Sequence, residues 1–367
     1  PKEWSVLSII SLALLSSLLV FLGKRTWHSA LLVGFFLALP VFIGFLAYPL
    51  GYWWPIVVHE TAIAVALTGS VFLNYAGESR QKSFIKQAFK FYLSPEVIDK
   101  ILEDPSKLKL GGEHRELTIL FSDLQGFSSF SEKLDPQTLT RLLNDYLSDM
   151  TDIIIEEGGT LDKYEGDAII AFWNAPVDQP DHAVRACRAA IRCQRRLRER
   201  HEEFLRRAGT PLIARIGIHT GQVVVGNMGS SKRFNYTILG DAANLASRLE
   251  GANKVFGTFT MVSEATWLRT RGEFVGREIG SIRVVGRNAP VRVYELIGLP
   301  GSEPGEGLEI FEAALKLYYA RKLAEALEKF RSLPDDPIAR LYAKRCGSLL
   351  GAPGIPWEDG VWTLKGK

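Results

Sequence analysis

The chain begins with three apolar runs that contain almost no charge. Residues 4–22, 27–48 and 52–75 each have about the 20 residues that a helix needs to cross a hydrocarbon core. None of the runs has a charged face that could meet water, which argues against buried helices of a soluble protein. The pattern therefore predicts three transmembrane helices within residues 1–75.

The basic residues between these runs predict how the helices are oriented. Lys24 and Arg25 favour a cytoplasmic first connection, whereas the second connection, YPLGYWWP, has no basic residue and is rich in aromatic ones. The third helix then leads toward Arg80 and Lys82 in the cytoplasm, and the N-terminus is outside. Because the chain starts with Pro1, we expect a fragment of a multi-pass cell-membrane protein that lacks an extracytoplasmic sensor domain.

Two ionisable residues, His59 and Glu60, lie inside the third apolar run. Charge within a membrane is costly, so the pair is either a functional site or an interhelical hydrogen-bonding pair.

Beyond residue 112 the pattern changes to short apolar strands and amphipathic helices. ELTILFSD is typical of a strand, residues 136–156 of a helix, and TLDKYEGDAIIAFW of a hairpin. We expect one Arg-rich helix over 179–207, and a second hairpin in LIARIGIHTGQVVVGNM that turns at Thr220-Gly221. The order β-α-β-β-α-β predicts an α+β fold with a ferredoxin-like sheet over 112–298.

Helical segments are expected on both sides of this region. Residues 76–111 read as a helical linker, with a second short helix starting at Ser94. The C-terminal extension, 299–367, has helical stretches at 307–332 and 335–350, the size of one helix-turn-helix unit. A single unit of this kind cannot bury its own apolar face, so it should pack on another surface.

Composition sharpens this division of the chain. The net charge of +3 and the mean hydropathy of +0.04 suit an ordinary soluble protein. However, residues 1–75 contain five of the 85 charged side chains, and the rest of the chain contains 80. The balanced charge favours no nucleic-acid partner. The Arg-rich helix is interpreted as the solvated face of a docked helix, with contact to RNA or anionic lipid as the alternatives.

Two aspartates are the first candidates for chemistry. Asp123 ends the strand ELTILFSD, and Asp167 lies at the turn of the following hairpin. In a ferredoxin-like sheet this strand and this hairpin are neighbours, so both carboxylates can reach one edge. Such oxygen ligands suit Mg²⁺ or Mn²⁺ and an in-line attack at phosphorus, although either aspartate alone is typical of a turn or cap.

Four segments in order then resemble the class III adenylate/guanylate cyclase catalytic domain: FSDLQGFSSF, LDKYEGDAIIAF, IGIHTGQVVVGNMGS and NYTILGDAANLASRLE. The resemblance covers about residues 112–298. The upstream segment FYLSPEVIDKIL and the apolar runs resemble bacterial membrane-anchored adenylate cyclases with an N-terminal extracytoplasmic sensor. The resemblance implies a signal-transducing enzyme that converts ATP to 3′,5′-cyclic AMP and pyrophosphate.

The resemblance also assigns the residues that hold the metal and the base. Asp123 and Asp167 match the ligands of two Mg²⁺ or Mn²⁺ ions, and the Leu124 carbonyl is a further ligand. Lys163 matches the lysine that reads adenine, where guanylate cyclases usually have Glu. Thr237 matches its partner position, which is Asp in many adenylate cyclases. This Lys/Thr pair resembles a subgroup that includes bicarbonate-responsive cyclases, which leaves a bicarbonate response open.

Three further residues are assigned to the transition state and the phosphates. Asn244 and Arg248 match the pair that orients the ribose and neutralises charge at the α-phosphate, and their spacing places them on one helix face. The family often has a VKGK-like stretch that contacts the terminal phosphates; here it reads VVGR, and Arg287 is the candidate substitute. Family members share active sites across a dimer, so the resemblance implies a homodimer with two equivalent sites.

Other functions remain as alternatives. A guanylate cyclase is disfavoured by Lys163, and a catalytically weak membrane receptor is disfavoured because every site position is chemically competent. A diguanylate cyclase would need a GG(D/E)EF-type turn, which KYEGDA is not.

Overall fold

The computed structural model describes residues 2–22, 26–89, 110–230, 233–270, 272–299, 301, 307–351 and 357–364. They belong to two compact units, residues 1–92 and 93–367. The first unit contains helices α1 (Lys2–Leu22), α2 (Thr26–Ala47) and α3 (Ile56–Phe89), with a 3₁₀ turn at Tyr48–Leu50. Helix α3 runs without a break past residue 75 into the predicted linker. The linker helix predicted from Ser94 lies outside the described residues.

Two of the three predicted membrane helices are confirmed as long and apolar enough to span a bilayer. These segments are Leu31–Leu50 and Ile56–Leu73, whereas the apolar part of α1, Trp4–Leu19, is shorter than a full span. Three spans therefore stay a prediction. Large apolar side chains point away from this unit, with Phe45 81% and Val57 75% exposed. Apolar surface of this kind is typical of a region that meets lipid or another protein.

His59 is buried between the helices of this unit. Its Nε2 lies 3.0 Å from Ser8 Oγ on α1, its Nδ1 lies 2.9 Å from the Pro55 carbonyl oxygen, and its ring stacks on Trp54. The imidazole therefore links α1 to α3. Of the two roles expected for His59, this contact fits the interhelical hydrogen bond. Glu60 is partly exposed.

The second unit is built on a mixed sheet. Its strands are β1 (Gly111–Leu124), β2 (Thr160–Glu165), β3 (Ala168–Trp173), β4 (Ala214–Ser230), β5 (Arg233–Leu239), β6 (Thr260–Ser263), β7 (Val275–Arg283), β8 (Val291–Gly298) and β9 (Trp362–Thr363). Within the described residues the order is β2-β3-β1-β4-β6-β8-β7-β9, and β5 pairs with β4. The first four strands in this order are antiparallel, as the ferredoxin-like prediction requires.

Helices cover both faces of this sheet. They are α4 (Phe127–Ser131), α5 (Pro136–Glu156), α6 (His182–Glu199), α7 (His201–Ala208), α8 (Asp241–Phe256) and α9 (Glu264–Arg269). The apolar sides of α5 and α6 form the largest core with β1, β3 and β4, whereas α8 packs on the opposite side. The α+β class is therefore confirmed.

The hairpin predicted at Thr220-Gly221 is wrong, because β4 is one continuous strand. Its true hairpin partner is β5, which follows it. A Cβ at Gly217 would lie 2.1 Å from the Glu250 backbone nitrogen, and one at Gly221 would lie 3.0 Å from the Ala242 Cβ. These glycines therefore let α8 pack directly on β4, and they do not form a turn.

The single Arg-rich helix predicted over 179–207 is also wrong. The segment forms α6 and α7, which are separated at Arg200 with φ −97° and ψ 13°. Arg196 Nη1 lies 3.1 Å from Asp149 Oδ1 on α5, and Arg200 pairs with the same carboxylate. These arginines therefore dock the helices on α5, consistent with the docked-helix interpretation.

Among its described residues, the C-terminal extension forms three helices where two stretches were predicted: α10 (Leu308–Tyr319), α11 (Leu323–Arg331) and α12 (Pro337–Gly351). The break falls at Arg321, whose φ is 60°, although no glycine or proline marks it. Phe311 and Tyr342 share a core with residues of α8 and β7, and the Tyr342 hydroxyl donates to the Ile279 carbonyl at 2.8 Å. The expectation that this unit packs on another surface is confirmed.

Candidate active site

Asp123 and Asp167, the carboxylate pair, meet at one edge of the sheet. Asp123 is the penultimate residue of β1, and Asp167 lies in the β2–β3 turn, directly after Gly166, which adopts φ 68°. Because β1 and β3 are antiparallel neighbours, the two carboxylates face each other. The Leu124 N–H donates to Asp167 Oδ2 at 3.0 Å and holds that side chain in place.

The electrostatics of the carboxylate pair fit a cation. Burial and the like charge of Asp123 raise the pKa of Asp167 well above its usual range. No group of three His, Cys, Asp or Glu side chains that could bind a metal occurs in the part of the chain that the structure describes. Carboxylate oxygens completed by backbone, water or substrate oxygens suit Mg²⁺ or Mn²⁺. The Leu124 carbonyl stays a predicted ligand.

A second group, the lysine cluster, consists of Asp162, Lys163 and Thr237. Thr237 Oγ1 donates to Asp162 Oδ2 at 2.8 Å, and Lys163 Nζ lies 3.6 Å from Asp162 Oδ1. The Asp162 side chain is 2% exposed and that of Lys163 is 39% exposed. Burial raises the pKa of Asp162, whereas the Thr237 hydrogen bond and the Lys163 charge lower it. The structure thus brings together the two predicted base-reading residues.

A β-bulge in β2 produces this arrangement. Leu161 pairs with Ala171 and Lys163 pairs with Ile170, so Asp162 has no residue opposite it on β3. In a regular strand, consecutive side chains point to opposite faces. The extra residue disrupts that alternation, so Asp162 can contact Lys163 and Thr237 together.

Arg248 and Arg287, the arginine pair, form a third group. A Cβ on Gly286 would lie 3.1 Å from Arg248 Nη2, so the β7–β8 loop packs against this arginine on α8. Arg287 on the same loop has its Nη1 3.6 Å from Asp241 Oδ2. Within the described residues, Nη1 of each arginine is buried without a hydrogen-bond acceptor. Since buried donors are rarely left unsatisfied, the pair fits an anion such as a phosphate.

Asn244 lies one turn before Arg248 on α8 and is exposed. Residues four apart share a helix face, so the amide can contact a ligand that Arg248 binds. The structure thereby places every predicted site residue in or beside one of three groups within a single chain.

Sequence reasoning misses Asp162 and His219. Strand alternation in TLDKYE predicts Asp162 on the face opposite Lys163. The sequence of this segment contains no signal for the bulge. His219 Nδ1 lies 2.7 Å from Ser263 Oγ. Burial, with a contribution from the Arg287 charge, lowers the pKa of His219 to about 4, so its imidazole is neutral at pH 7.

The chain is similar to known proteins of one family. A family model described as the adenylate and guanylate cyclase catalytic domain matches residues 111–298. Adenylate cyclase 1 of Rhizobium meliloti is 34% identical over 212 residues, which are 58% of this chain and 32% of that protein. An adenylate cyclase of Anabaena cylindrica is 34% identical over 220 residues, 58% of this chain and 42% of that protein. The chain therefore spans less than half the length of these curated relatives.

Among solved structures, a bacterial light-regulated adenylyl cyclase matches with a TM-score of 0.52 and 25% sequence identity. The match covers 61% of this chain and 64% of that one.

Proposed function

This chain belongs to the family of adenylate and guanylate cyclase catalytic domains, and from that premise we propose that it is an adenylate cyclase that converts ATP to 3′,5′-cyclic AMP and pyrophosphate. The observation that carries the choice of ATP is the lysine cluster. Lys163 donates toward the N1 acceptor of adenine, and the Thr237 oxygen accepts from the adenine amino group. Guanine presents the opposite polarity, with a proton at N1 and an oxygen at position 6. The adenylate cyclase relatives support the same choice.

The proposed reaction is an in-line displacement at the α-phosphorus. The ribose 3′ oxygen forms a bond to that phosphorus, the bond to the pyrophosphate oxygen breaks, and the 3′-hydroxyl proton is released. Arg248 neutralises charge that develops on the α-phosphate oxygens, Asn244 orients the ribose, and Arg287 binds the terminal phosphates. The unsatisfied guanidinium donors of the arginine pair support these assignments.

The carboxylate pair would hold the metal ions, Mg²⁺ or Mn²⁺, with the Leu124 carbonyl as a further ligand. When bound, such ions lower the pKa of an attacking hydroxyl and offset the charge of a triphosphate. Asp123 and Asp167 set the position of this site at the sheet edge, and the Leu124 N–H orients Asp167.

We also propose a homodimer with two equivalent active sites. Each site would take the carboxylate pair from one chain and the lysine cluster, Asn244 and Arg248 from the other. The presence of both sets in this one chain supports two sites per dimer. A response to bicarbonate is proposed on the resemblance of the Lys163/Thr237 pair alone.

Membrane anchoring is the remaining part of the proposal. The exposed apolar side chains of the first unit and its two candidate spans support a membrane anchor. The proposed orientation, with an outside N-terminus and a cytoplasmic catalytic domain, rests on the positions of Lys24 and Arg25 in the sequence. The unbroken course of α3 to Phe89 supports signal transmission from the membrane to the catalytic domain. Insertion of residues after position 78 should then change basal or stimulated activity; unchanged activity in both states would contradict this transmission.

The test of function is an assay of the purified full chain in lipid nanodiscs. Product formation from ATP and from GTP is compared in Mg²⁺ and in Mn²⁺, with and without bicarbonate. We expect cyclic AMP and a higher kcat/KM for ATP. Faster turnover of GTP would indicate a guanylate cyclase, and no product from either nucleotide, in either metal, would indicate a non-catalytic receptor.

A further inference from the structure

Asp162 is a buried carboxylate that none of the steps above uses. Its side chain is 2% exposed; its Oδ2 accepts from Thr237, and its Oδ1 makes no hydrogen bond within the described residues. A positive charge, Lys163 Nζ, lies 3.6 Å from Oδ1. Burying a carboxylate with only part of its hydrogen-bonding capacity satisfied is costly. A role for the charge, rather than simple packing, accounts for its presence here.

The hydrogen bond from Thr237 has a defined direction. An ionised carboxylate has only acceptors, so the single Thr237 proton must point at Asp162 Oδ2. The Thr237 oxygen then has only lone pairs left for a ligand. A threonine hydroxyl without such a partner rotates and can either donate or accept.

We propose that Asp162 is a positioning residue that sets the nucleotide preference by forcing Thr237 to act only as an acceptor. This inference rests on the proposed function. It means that the Thr237 oxygen accepts a hydrogen bond from the adenine amino group and rejects guanine, which has a carbonyl oxygen at the same position. The same carboxylate holds the Lys163 ammonium beside Thr237, so that Lys163 is the donor to the base and Thr237 is the acceptor. The β-bulge is the backbone feature that lets one side chain contact both partners.

The experiment measures the ratio of kcat/KM for ATP to kcat/KM for GTP in the full chain in nanodiscs. For Asp162→Ala we expect this ratio to fall at least about tenfold, the size of effect caused by one misdirected hydrogen bond. The ratio is taken within one preparation, so partial unfolding cancels. A purely structural role would lower both rate constants by the same factor.

Four further variants sharpen the test. Asp162→Asn preserves the shape and one acceptor oxygen, so its ratio should lie between those of wild type and Asp162→Ala. Asp152→Ala removes an exposed carboxylate of α5 and should leave the ratio unchanged. In a Thr237→Val background there is no hydroxyl to orient, so adding Asp162→Ala should change the ratio by less than about twofold.

The outcomes separate this inference from the proposed function. If the wild-type chain prefers ATP and Asp162→Ala keeps the same ratio, the positioning role is overturned and the cyclase assignment stands. If the wild-type chain forms no product, the cyclase assignment fails. Competition binding of ATP and GTP to wild type and Asp162→Ala then decides the inference, and equal selectivity of the two proteins would overturn it.

Discussion

Asp162 and Asp167 lie on the same β2–β3 hairpin, and burial raises the pKa of both carboxyl groups, yet their surroundings differ. Asp167 faces a second carboxylate, Asp123, whereas Asp162 faces an ammonium and a hydroxyl donor. The carboxylate pair therefore lacks a balancing cation among its own side chains, and the lysine cluster contains one. The proposed metal site and the proposed orienting role of Asp162 therefore differ in the charge around each aspartate more than in its burial.

The largest expected effect comes from breaking the carboxylate pair. Asp167→Asn should lower kcat by about a thousandfold or more in Mg²⁺ and Mn²⁺, because metal binding loses a charged ligand. Removal of the like charge should leave the thermal unfolding temperature unchanged or raise it. The matched control is Asp152→Asn, which changes an exposed carboxylate. Activity within tenfold of wild type would contradict the metal assignment.

A mixing experiment tests whether the carboxylate pair and the arginine residues act across two chains. Asp123→Ala and Arg248→Ala should each be inactive, because each variant lacks one half of every site. Subunits mixed at random give half heterodimers, each with one intact site, so about a quarter of wild-type activity should return. Crosslinking verifies that heterodimers form; heterodimers without activity would argue against shared sites.

A smaller effect is expected for Arg287, because its charge is also offset by Asp241. Arg287→Ala should lower kcat/KM for ATP about tenfold through weaker phosphate binding, while the ATP:GTP ratio stays unchanged. Arg292→Ala is the control, since Arg292 lies on β8 of the same hairpin and pairs with Glu264. Equal losses in both variants would show that Arg287 has no special role.

The smallest expected effect is on stability, and it comes from removing the cation of the lysine cluster. Lys163→Met should lower the stability of the fold by about 1 kcal/mol near pH 8, a modest value because Lys163 is partly in water. Without the ammonium, the folded-state pKa of Asp162 rises further above its unfolded value. The folded protein then binds more protons than the unfolded chain, so stability is lost as pH rises.

The thermal unfolding temperature of Lys163→Met, relative to wild type, should therefore rise when the pH is lowered from 8 to 5. The double variant Lys163→Met/Asp162→Asn, which removes both charges, should lose this pH dependence. If the unfolding temperature of Lys163→Met lies below that of wild type by the same amount at every pH, Lys163 stabilises the fold by packing and not by charge.

Local patterns predicted the elements whose signals are contained within a few residues. The strand β1, the helix α5 and the β2–β3 hairpin each combine a clear period with a turn or capping residue, such as Gly166 or the N-cap Asp135. The carboxylate pair follows from these elements, because neighbouring strands bring their ends together.

Predictions failed where a residue responds to a distant partner. Gly221 marks the approach of α8 and not a turn, and the Arg-rich segment breaks at Arg200 because Asp149 on α5 and Glu203 on α7 bind that guanidinium. The break at Arg321 separates α10 from α11, both of which pack their apolar sides into a core shared with β7. Apart from Glu203, which is three residues after Arg200, these partners are distant in sequence.

By itself, the sequence determined the division into an apolar first unit and a charged second unit, the α+β order, and which residue types are available for metal, base and phosphate. Only the tertiary structure decided that Thr237 donates to Asp162 beside Lys163, and that the buried donors of Arg248 and Arg287 find no acceptor among the residues that the structure describes. The physical reason is that composition and periodicity report local burial. Hydrogen-bond direction and charge balance depend on which distant strands and helices come into contact.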